Sequence, residues 1–438
     1  MPERRNGRTG ASGGASSSYH CRNAPTANRS PRHETRGPDD GSDASFIGCA
    51  GELSGSGIRA GVVSRALQVS RAVVEGGFDF HAEIARGLVD RGAELLTVFQ
   101  CGSMDSARER AFPGRILCLD ANRRRRFKRL PWFALKLWRE TVRGSVDLAI
   151  CHHLPAARAV DWLMRTGRVR RPYLVVHHYN YFDPTDNEGR ERGRFLHAAL
   201  SRGWRVIGVS RAICDNIRET VPPASAAACL TIHNAIDVDA LERGLVNRQR
   251  ARETLKLPLD AFVFGTIGRL VPFKAHDELL EAFAGVQERM PGSRLIVIGR
   301  GPLEEQLRRR VTELGLQGKA MIYGFLDQAA HYLRAFDVFV LPSHHEPFGL
   351  VLPEAMTARV PIIASDSGAS LEIVPPEAAI FPTGNQQALA DALLALFRAS
   401  PEARARWAEA GYRRVQSAFR IADFQRAYGD LLAFAPEP

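Results

Sequence analysis

The sequence has no Cys-x-x-Cys pair, no apolar run long enough to span a bilayer, and no apolar core near its start. Its seven cysteines are odd in number and all fall within residues 21–229. That pattern argues against a disulfide framework or a zinc site and for free thiols in a reducing cytoplasm. The missing apolar runs argue against a membrane-spanning helix and lead us to expect a cytoplasmic protein that is not exported. With 45% hydrophobic and 24% charged residues, neither a wholly disordered nor a fibrous chain is tenable. A general excess of charge is also lacking. The net charge is +11, yet segment 121–143 holds nine Lys/Arg against the single acid Glu140, so the rest is near neutral.

At roughly 100–200 residues per domain, 438 residues predict two or three domains. Residues 1–57 hold 10 Gly and 9 Ser and show no periodicity. Such a segment cannot bury enough apolar surface to offset its chain entropy. It reads as a disordered extension or as sequence upstream of the true start. From Ile58 short β-rich runs alternate with helical stretches. Strands are predicted at 58–63, 95–99, 115–119, 146–150, 173–177 and 205–209, then at 262–267, 294–298, 321–323, 338–341 and 361–364. Between them apolar residues recur at helical spacing, as in Phe80, Ile84 and Leu88. The pattern predicts two doubly wound parallel sheets, 58–245 and 246–411, with ligands in the cleft between them. Phe419, Phe424, Tyr428 and either Leu431 or Leu432 give segment 412–438 a helical apolar face.

The most informative stretch is Leu341-Pro-Ser-His-His-Glu346-Pro-Phe348-Gly349-Leu350-Val-Leu-Pro353-Glu354-Ala-Met356. A buried strand ends at Leu341 and a helix is expected to start near Gly349. Pro353 is tolerable only in the first turn, where its missing N–H has no partner anyway. Glu346 and Glu354 then flank a helix N-terminus whose free N–H groups suit a phosphate. A capped helix with two solvated acids explains the spacing equally well.

This stretch resembles the E-x7-E signature of glycosyltransferase family 4, retaining enzymes of GT-B fold. Other segments resemble that family in the right order from about residue 58 onward. They are Gly76-Gly77, Val209-Ser210, His233-Asn234-Ala-Ile-Asp237, Gly265-Thr-Ile-Gly268-Arg269-Leu270 with Lys274, Ile298-Gly299-Arg-Gly301-Pro302, and Tyr323-Gly324-Phe325. The resemblance implies a GT-B protein, two Rossmann-like domains facing across a cleft, whose final helix, residues 412–438, crosses back to the N-terminal domain. It also implies a nucleotide-diphosphate sugar as co-substrate. Arg269 and Lys274 would stabilise the departing diphosphate, Glu346 would bind the donor sugar, and Glu354 the ribose. Gly77, Gly268, Gly299, Phe325, Phe348, Gly349 and Leu350 would line the donor site. A histidine after a strand would touch the sugar; His178 fits that register best, with His177 as the fallback. A strand-end histidine bonded only to backbone is the plainer reading.

The one Asp-x-Asp, Asp237-Val-Asp239, falls between the domains, so no metal and no other cofactor is expected. Ala275, Ala235 and Ala358-Arg359 depart from the family, which tends to have glycine at 275, 235 and 359. The last change asks a non-glycine residue to follow a helix where left-handed conformations are common.

Arg123, Arg124, Arg125, Arg126, Lys128 and Arg129 precede a predicted helix carrying Trp132 and Trp138. Cations beside aromatics suit an anionic membrane interface, and a peripheral position on the inner face of the cytoplasmic membrane is expected; a solvated helix with one core face is the plainer alternative. No nucleic-acid fold signature accompanies the patch, so nucleic acid is not expected as a partner. The function expected is transfer of a sugar to a hydroxyl of a glycan or lipid-linked, cell-envelope acceptor. The alternatives are a sugar-nucleotide epimerase of the same fold and a silent sugar-nucleotide-binding or membrane-docking protein.

Overall fold

Strands joined by helical crossings pair in parallel, because a return through a helix brings the chain back in the same direction. The computed structural model describes residues 64–72, 80–101, 109, 112–119, 130–141, 144–178, 181–221 and 228–433. Its first sheet contains β1 (Arg65–Ala72), β2 (Glu94–Cys101), β3 (Arg115–Cys118), β4 (Val146–Cys151), β5 (Val169–Val176), β6 (Arg205–Gly208) and β7 (Cys229–Thr231). The second contains β8 (Phe262–Ile267), β9 (Ser293–Ile298), β10 (Ala320–Gly324), β11 (Val338–Leu341), β12 (Ile362–Ser365) and β13 (Ala379–Phe381). The strand orders are β3-β2-β1-β4-β5-β6-β7 and β10-β9-β8-β11-β12-β13, and the strand pairs are parallel. Both sheets switch direction at their first strand, between β1 and β4 and between β8 and β11. A crevice opens at the strand C-termini of each switch.

The first strand corrects the sequence reading. It lies at Arg65–Ala72, whereas the expected 58–63 falls outside the described residues, as does the extension 1–57. Apolar content misleads there because β1 buries polar side chains. Gln68 and Ser70 are almost fully buried, and each is hydrogen-bonded. Thr97 Oγ1 donates to Gln68 Oε1 at 3.3 Å, Gln68 Nε2 lies 3.2 Å from His152 Nε2, and Ser70 Oγ lies 2.8 Å from His81 Nε2. β5 starts at Val169, four residues early, through a polar Arg170-Arg171. The edge strands β7 and β13 have three residues each, too few to show a period.

The end of the chain returns to the first sheet. The boundary expected at 411/412 falls inside one helix, Pro401–Ala418, and the turn comes at Phe419–Arg420 instead. The apolar face continues through Ala408 and Val415, so nothing interrupts the helix at 412. Beyond the turn, Ile236 and Arg420 form an isolated parallel bridge, and the helix Ile421–Asp430 packs on the helix Phe80–Asp90. Backbones nearly touch: a Cβ on Gly87 would stand 2.1 Å from the Gln425 carbonyl oxygen. Arg171 caps the final turn by donating to Leu431 O at 2.9 Å and Leu432 O at 3.1 Å. One apolar core therefore runs from the first sheet through Phe348 and Phe419 to Met356, and residues 57–438 form a single compact unit.

Candidate functional site: the β8–β11 switch and the loop facing it

Three loops leave the C-terminal ends of β8, β9 and β11 and lie against one another. Gly268 N donates to Ile298 O, Leu270 N to Arg300 O, and His344 N to Phe273 O, at 2.8–3.0 Å. The approach demands glycine. A Cβ on Gly299 would sit 1.8 Å from Gly268 O. After β8 the chain passes Arg269 and makes a 3-10 turn, Pro272–Lys274. It then enters the helix His276–Val286 through Ala275, at φ 50°. The expected glycine position is thus left-handed, and alanine occupies it at a strain of about 1 kcal/mol. Arg359, at φ 56°, is the second such case. It is held by Tyr412, whose ring centre lies 3.5 Å from the guanidinium carbon, and by Glu242 Oε1 at 3.0 Å.

The loop after β11 carries Glu346, which is 3% exposed. Lys274 Nζ lies 2.5 Å from Glu346 Oε2, and Ser343 Oγ donates to the same oxygen at 3.1 Å. The helix expected near Gly349 starts two residues later, at Val351, and is short, Val351–Thr357. Gly349 at φ 75° makes the turn; a Cβ there would press on the Glu346 side chain at 2.9 Å. Pro353 is the third residue of the helix, within the first turn as expected. Glu354 follows it. Among the described residues no side chain pairs with the Glu354 carboxyl, and burial alone pushes its pKa up to about 7. The residue is half-buried, and a carboxyl poorly hydrated in this way favours a ligand that donates hydroxyl hydrogens to it.

Arg269 is exposed and lies 5.6 Å from the Phe273 ring centre; Lys274 lies 5.9 Å from the same ring. Phe325 is 60% exposed at the end of β10, with the Arg300 guanidinium 4.7 Å from its ring centre. Leu350 is half-buried. Phe348 departs from expectation. Its side chain is buried against His233 and Phe419, at ring separations of 6.0 and 5.7 Å, so only its backbone is left for a ligand.

Across from these loops two histidines follow β5, His177 half-buried and His178 exposed. The His178 side chain keeps contact with solvent, yet partial desolvation and the charges of Arg269 and Arg192 lower its pKa and favour the neutral ring. His177 turns inward. Its Nε2 lies 3.3 Å from His152 Nδ1 and its ring 6.0 Å from Phe80, and burial lowers its pKa to about 3. Burial therefore separates the two candidates, and His178 is the one that feels the charge of Arg269. Gly77, Arg123, Arg124, Arg125, Arg126, Lys128 and Arg129 lie outside the described residues. Trp132 belongs to the helix Leu130–Thr141. Trp138 is half-buried against the core, with Arg168 5.8 Å from its ring, so only part of its side chain is left for a membrane. Among the described residues no helix is long and apolar enough to cross a membrane.

Sequence reasoning missed Ser343, Phe273 and Glu372. Ser343 lies inside the quoted stretch, three residues before Glu346, and could have been found. Glu372 carries no local signal; only its contacts, described below, single it out.

Two facing doubly wound sheets, with a buried cation–carboxylate pair at one switch and a histidine opposite, define a two-domain α/β protein of GT-B type. Comparison with known proteins gives the family. Residues 76–240 match the family described as Glycosyltransferase Family 4, and residues 247–414 match Glycosyl transferases group 1. The chain belongs to this family of glycosyltransferases. It is 32% identical over 197 residues to the lipopolysaccharide core biosynthesis glycosyltransferase LpsE of Rhizobium meliloti, covering 42% of this chain and 54% of that one. It is 35% identical over 196 residues to a D-inositol 3-phosphate glycosyltransferase of Saccharomonospora viridis, covering 42% and 44%. The chain thus spans about half the length of the curated relatives it matches. Among solved structures it resembles a glycosyltransferase of Rickettsia africae, with TM-score 0.69, 17% identity, and 84% and 98% of the two chains covered. It also resembles Anabaena Alr3699/HepE in complex with UDP and glucose, with TM-score 0.68, 19% identity, and 84% and 99% covered. These last two likenesses concern the fold.

Proposed function

We propose that the chain is a retaining glycosyltransferase that moves a sugar from a nucleotide-diphosphate sugar to a hydroxyl of a glycan or lipid-linked acceptor. The observation that carries this reading is the buried Lys274–Glu346 pair, one loop away from Glu354, whose carboxyl pairs with no side chain among the described residues. As the glycosidic bond breaks, negative charge grows on the diphosphate. Arg269 and the free N–H groups of the Lys274 ammonium meet that charge in a cleft of low dielectric. Glu346 holds the donor sugar, and Glu354 accepts from the ribose. The acceptor attacks from the side of the departing diphosphate, and a phosphate oxygen takes its proton, with neutral His178 bordering the reacting carbon. The reading invokes no metal, since the two cations answer the diphosphate charge. Relatives that act in lipopolysaccharide core biosynthesis and on D-inositol 3-phosphate support a hydroxyl acceptor. The bound UDP of the Anabaena neighbour supports a nucleotide-sugar donor.

The test is a thermal-shift screen against UDP, GDP and ADP sugars, followed by product analysis with candidate acceptors. A donor that binds only the native state raises its melting temperature. Transfer with the donor's anomeric configuration kept supports the reading. An altered free sugar formed without acceptor would identify an epimerase, and binding without turnover a silent protein.

The acceptor would be met at an anionic membrane surface on the inner face of the cytoplasmic membrane. Leu135 and Trp162 are 49% and 43% exposed on two helices packed together, Leu130–Thr141 and Leu154–Arg165. Lys136, Arg139 and Arg165 are exposed on the same helices, and the basic run 123–129 directly precedes the first of them in the sequence. Charge neutralisation of Arg123 to Arg126 should release the protein from phosphatidylserine vesicles, and salt should do the same. Binding that ignores both changes rules out this surface.

A further inference from the structure

The strongest unassigned cluster joins the two halves of the molecule beside Glu346. Glu372 belongs to the second half and is 9% exposed. Its carboxylate reaches across to the N-terminus of the helix Arg211–Thr220 in the first half. Oε2 accepts from Arg211 N at 2.8 Å and Oε1 from Ala212 N at 2.7 Å. His233 Nε2 lies 2.8 Å from Oε2, and Arg211 Nε lies 3.5 Å away. Burial alone would raise the pKa of this carboxyl; His233 and the two amides outweigh it and keep the group ionised. From the far side, Arg414 donates to Glu372 O at 2.7 Å.

The same helix N-terminus reaches Glu346 by a second route. Ser210 caps the helix, accepting from Ile213 N at 3.2 Å, and donates its own hydroxyl hydrogen to Pro347 O at 2.7 Å. Pro347 directly follows Glu346. On its other side, Glu346 O accepts from Ala369 N at 2.9 Å, and Glu372 N donates to Ala369 O at 2.9 Å. Gly368 lets this contact form, since a Cβ there would stand 2.3 Å from Glu346 O. A closed path results: Glu346, Ala369, Glu372, the Arg211 helix, Ser210, Pro347 and back to Glu346. Two of its links cross between the halves.

We propose that Glu372 is a positioning residue that ties the orientation of Glu346 to the relative placement of the two halves. Its carboxylate occupies the N-terminus of a helix from the opposite half, and Ser210 returns the constraint to the peptide after Glu346. The role assigned to Glu346 rests on the proposed function; the mechanical link does not. The hydrogen bonds of Glu372 and Ser210 reach backbone groups and His233, and none of the side chains assigned to the donor. Weakening the path therefore leaves nucleotide affinity intact and degrades the alignment of the reacting groups.

The test compares wild type with Glu372→Gln, Ser210→Ala and the conservative Glu372→Asp by amide hydrogen exchange and by kinetics. A glutamine can accept from one of the two amides and turns an N–H toward the other. In Glu372→Gln, exchange should quicken by about tenfold or more at 211–213 and also at 346–350, the scale of losing one charge-assisted hydrogen bond. The nucleotide Kd should stay within about twofold, kcat should fall by about tenfold, and Glu372→Asp should recover part of it. Faster exchange confined to 211–213, with kcat unchanged, would reduce Glu372 to a helix cap and overturn the proposal. If Glu372→Gln does not fold, Ser210→Ala decides by the same readouts. Should wild type transfer no sugar, the exchange at 346–350 still decides the link, so its failure and that of the enzymatic reading are distinguishable.

Discussion

Lys274 and Glu346 stand 72 residues apart in the chain, yet the ammonium and carboxylate meet at 2.5 Å, with both side chains largely buried. Each neutralises the other where neither could remain charged alone at low cost. Removing one partner leaves an uncompensated buried charge, worth about 3–5 kcal/mol, whereas removing both can be nearly neutral. Urea unfolding should therefore find Lys274→Met less stable than the double variant Lys274→Met/Glu346→Gln. Equal or reversed stabilities would show that the pair is not coupled.

The same two residues should matter in turnover. Glu346→Gln and Lys274→Ala should lower kcat by about 10²-fold, the usual scale for one lost contact to developing charge. Steady-state kinetics on folded variants with varied donor provides the check. Near-normal kcat in both would leave the pair as a structural feature.

Glu354 should behave differently from Glu346. Its pKa is pushed up to about 7, so near neutral pH the carboxyl is partly protonated. A ribose hydroxyl donating to it favours the ionised form. Donor binding should then release protons near pH 6.5, and calorimetry in buffers of different ionisation enthalpy should detect them. Glu354→Gln should abolish the release and raise the donor KM with little change in kcat. Binding that moves no protons would contradict the ribose contact.

Burial holds His177 to a pKa of about 3 and His276 to about 4, and lowers His152 well below the ordinary value. For His276 the neighbouring Lys274 adds to the effect. In the unfolded chain all three titrate near pH 6.5. Below that pH the unfolded state binds more protons, so stability is lost as pH falls from about 6.5 toward 4, on the order of 1 kcal/mol per histidine by pH 5. Glu354 acts in the opposite sense, since its raised pKa makes the native state bind the proton first, but it is one group against three. Urea midpoints should fall from pH 7 to pH 5. A flat or rising profile would mean that the histidines are hydrated.

The C-terminal crossing should be sensitive at Gly87. A methyl there must displace the Gln425 backbone, and overpacking of this kind costs about 1–3 kcal/mol. Gly87→Ala should lower the melting temperature, and deletion of residues 419–438 should lower it further. A truncated protein with full stability would make the helix a dispensable tail.

Much of this protein follows from local pattern. Phe262–Ile267 and Val338–Leu341 are apolar runs that end at a glycine and a proline, and their sheets pair as the alternation requires. Gly349, Pro353 and the two glutamates mark one loop and one helix start by chemistry alone, and Arg359 was readable as a left-handed position. Other features had no local signal. β1 escaped notice because Gln68 and Ser70 look exposed until Thr97, His152 and His81 arrive from other segments to satisfy them. Phe348 looks available for a ligand until the fold buries its ring, and Trp138 for a membrane until the fold half-buries it against the core. The sequence alone determined which residues could carry charge and turn the chain. Tertiary structure alone decided which of them meet. The pairing of Lys274 with Glu346, and the reach of Glu372 to the Arg211 helix, depend on how two sheets pack. Residues distant in sequence are brought together only by burial of the core they share.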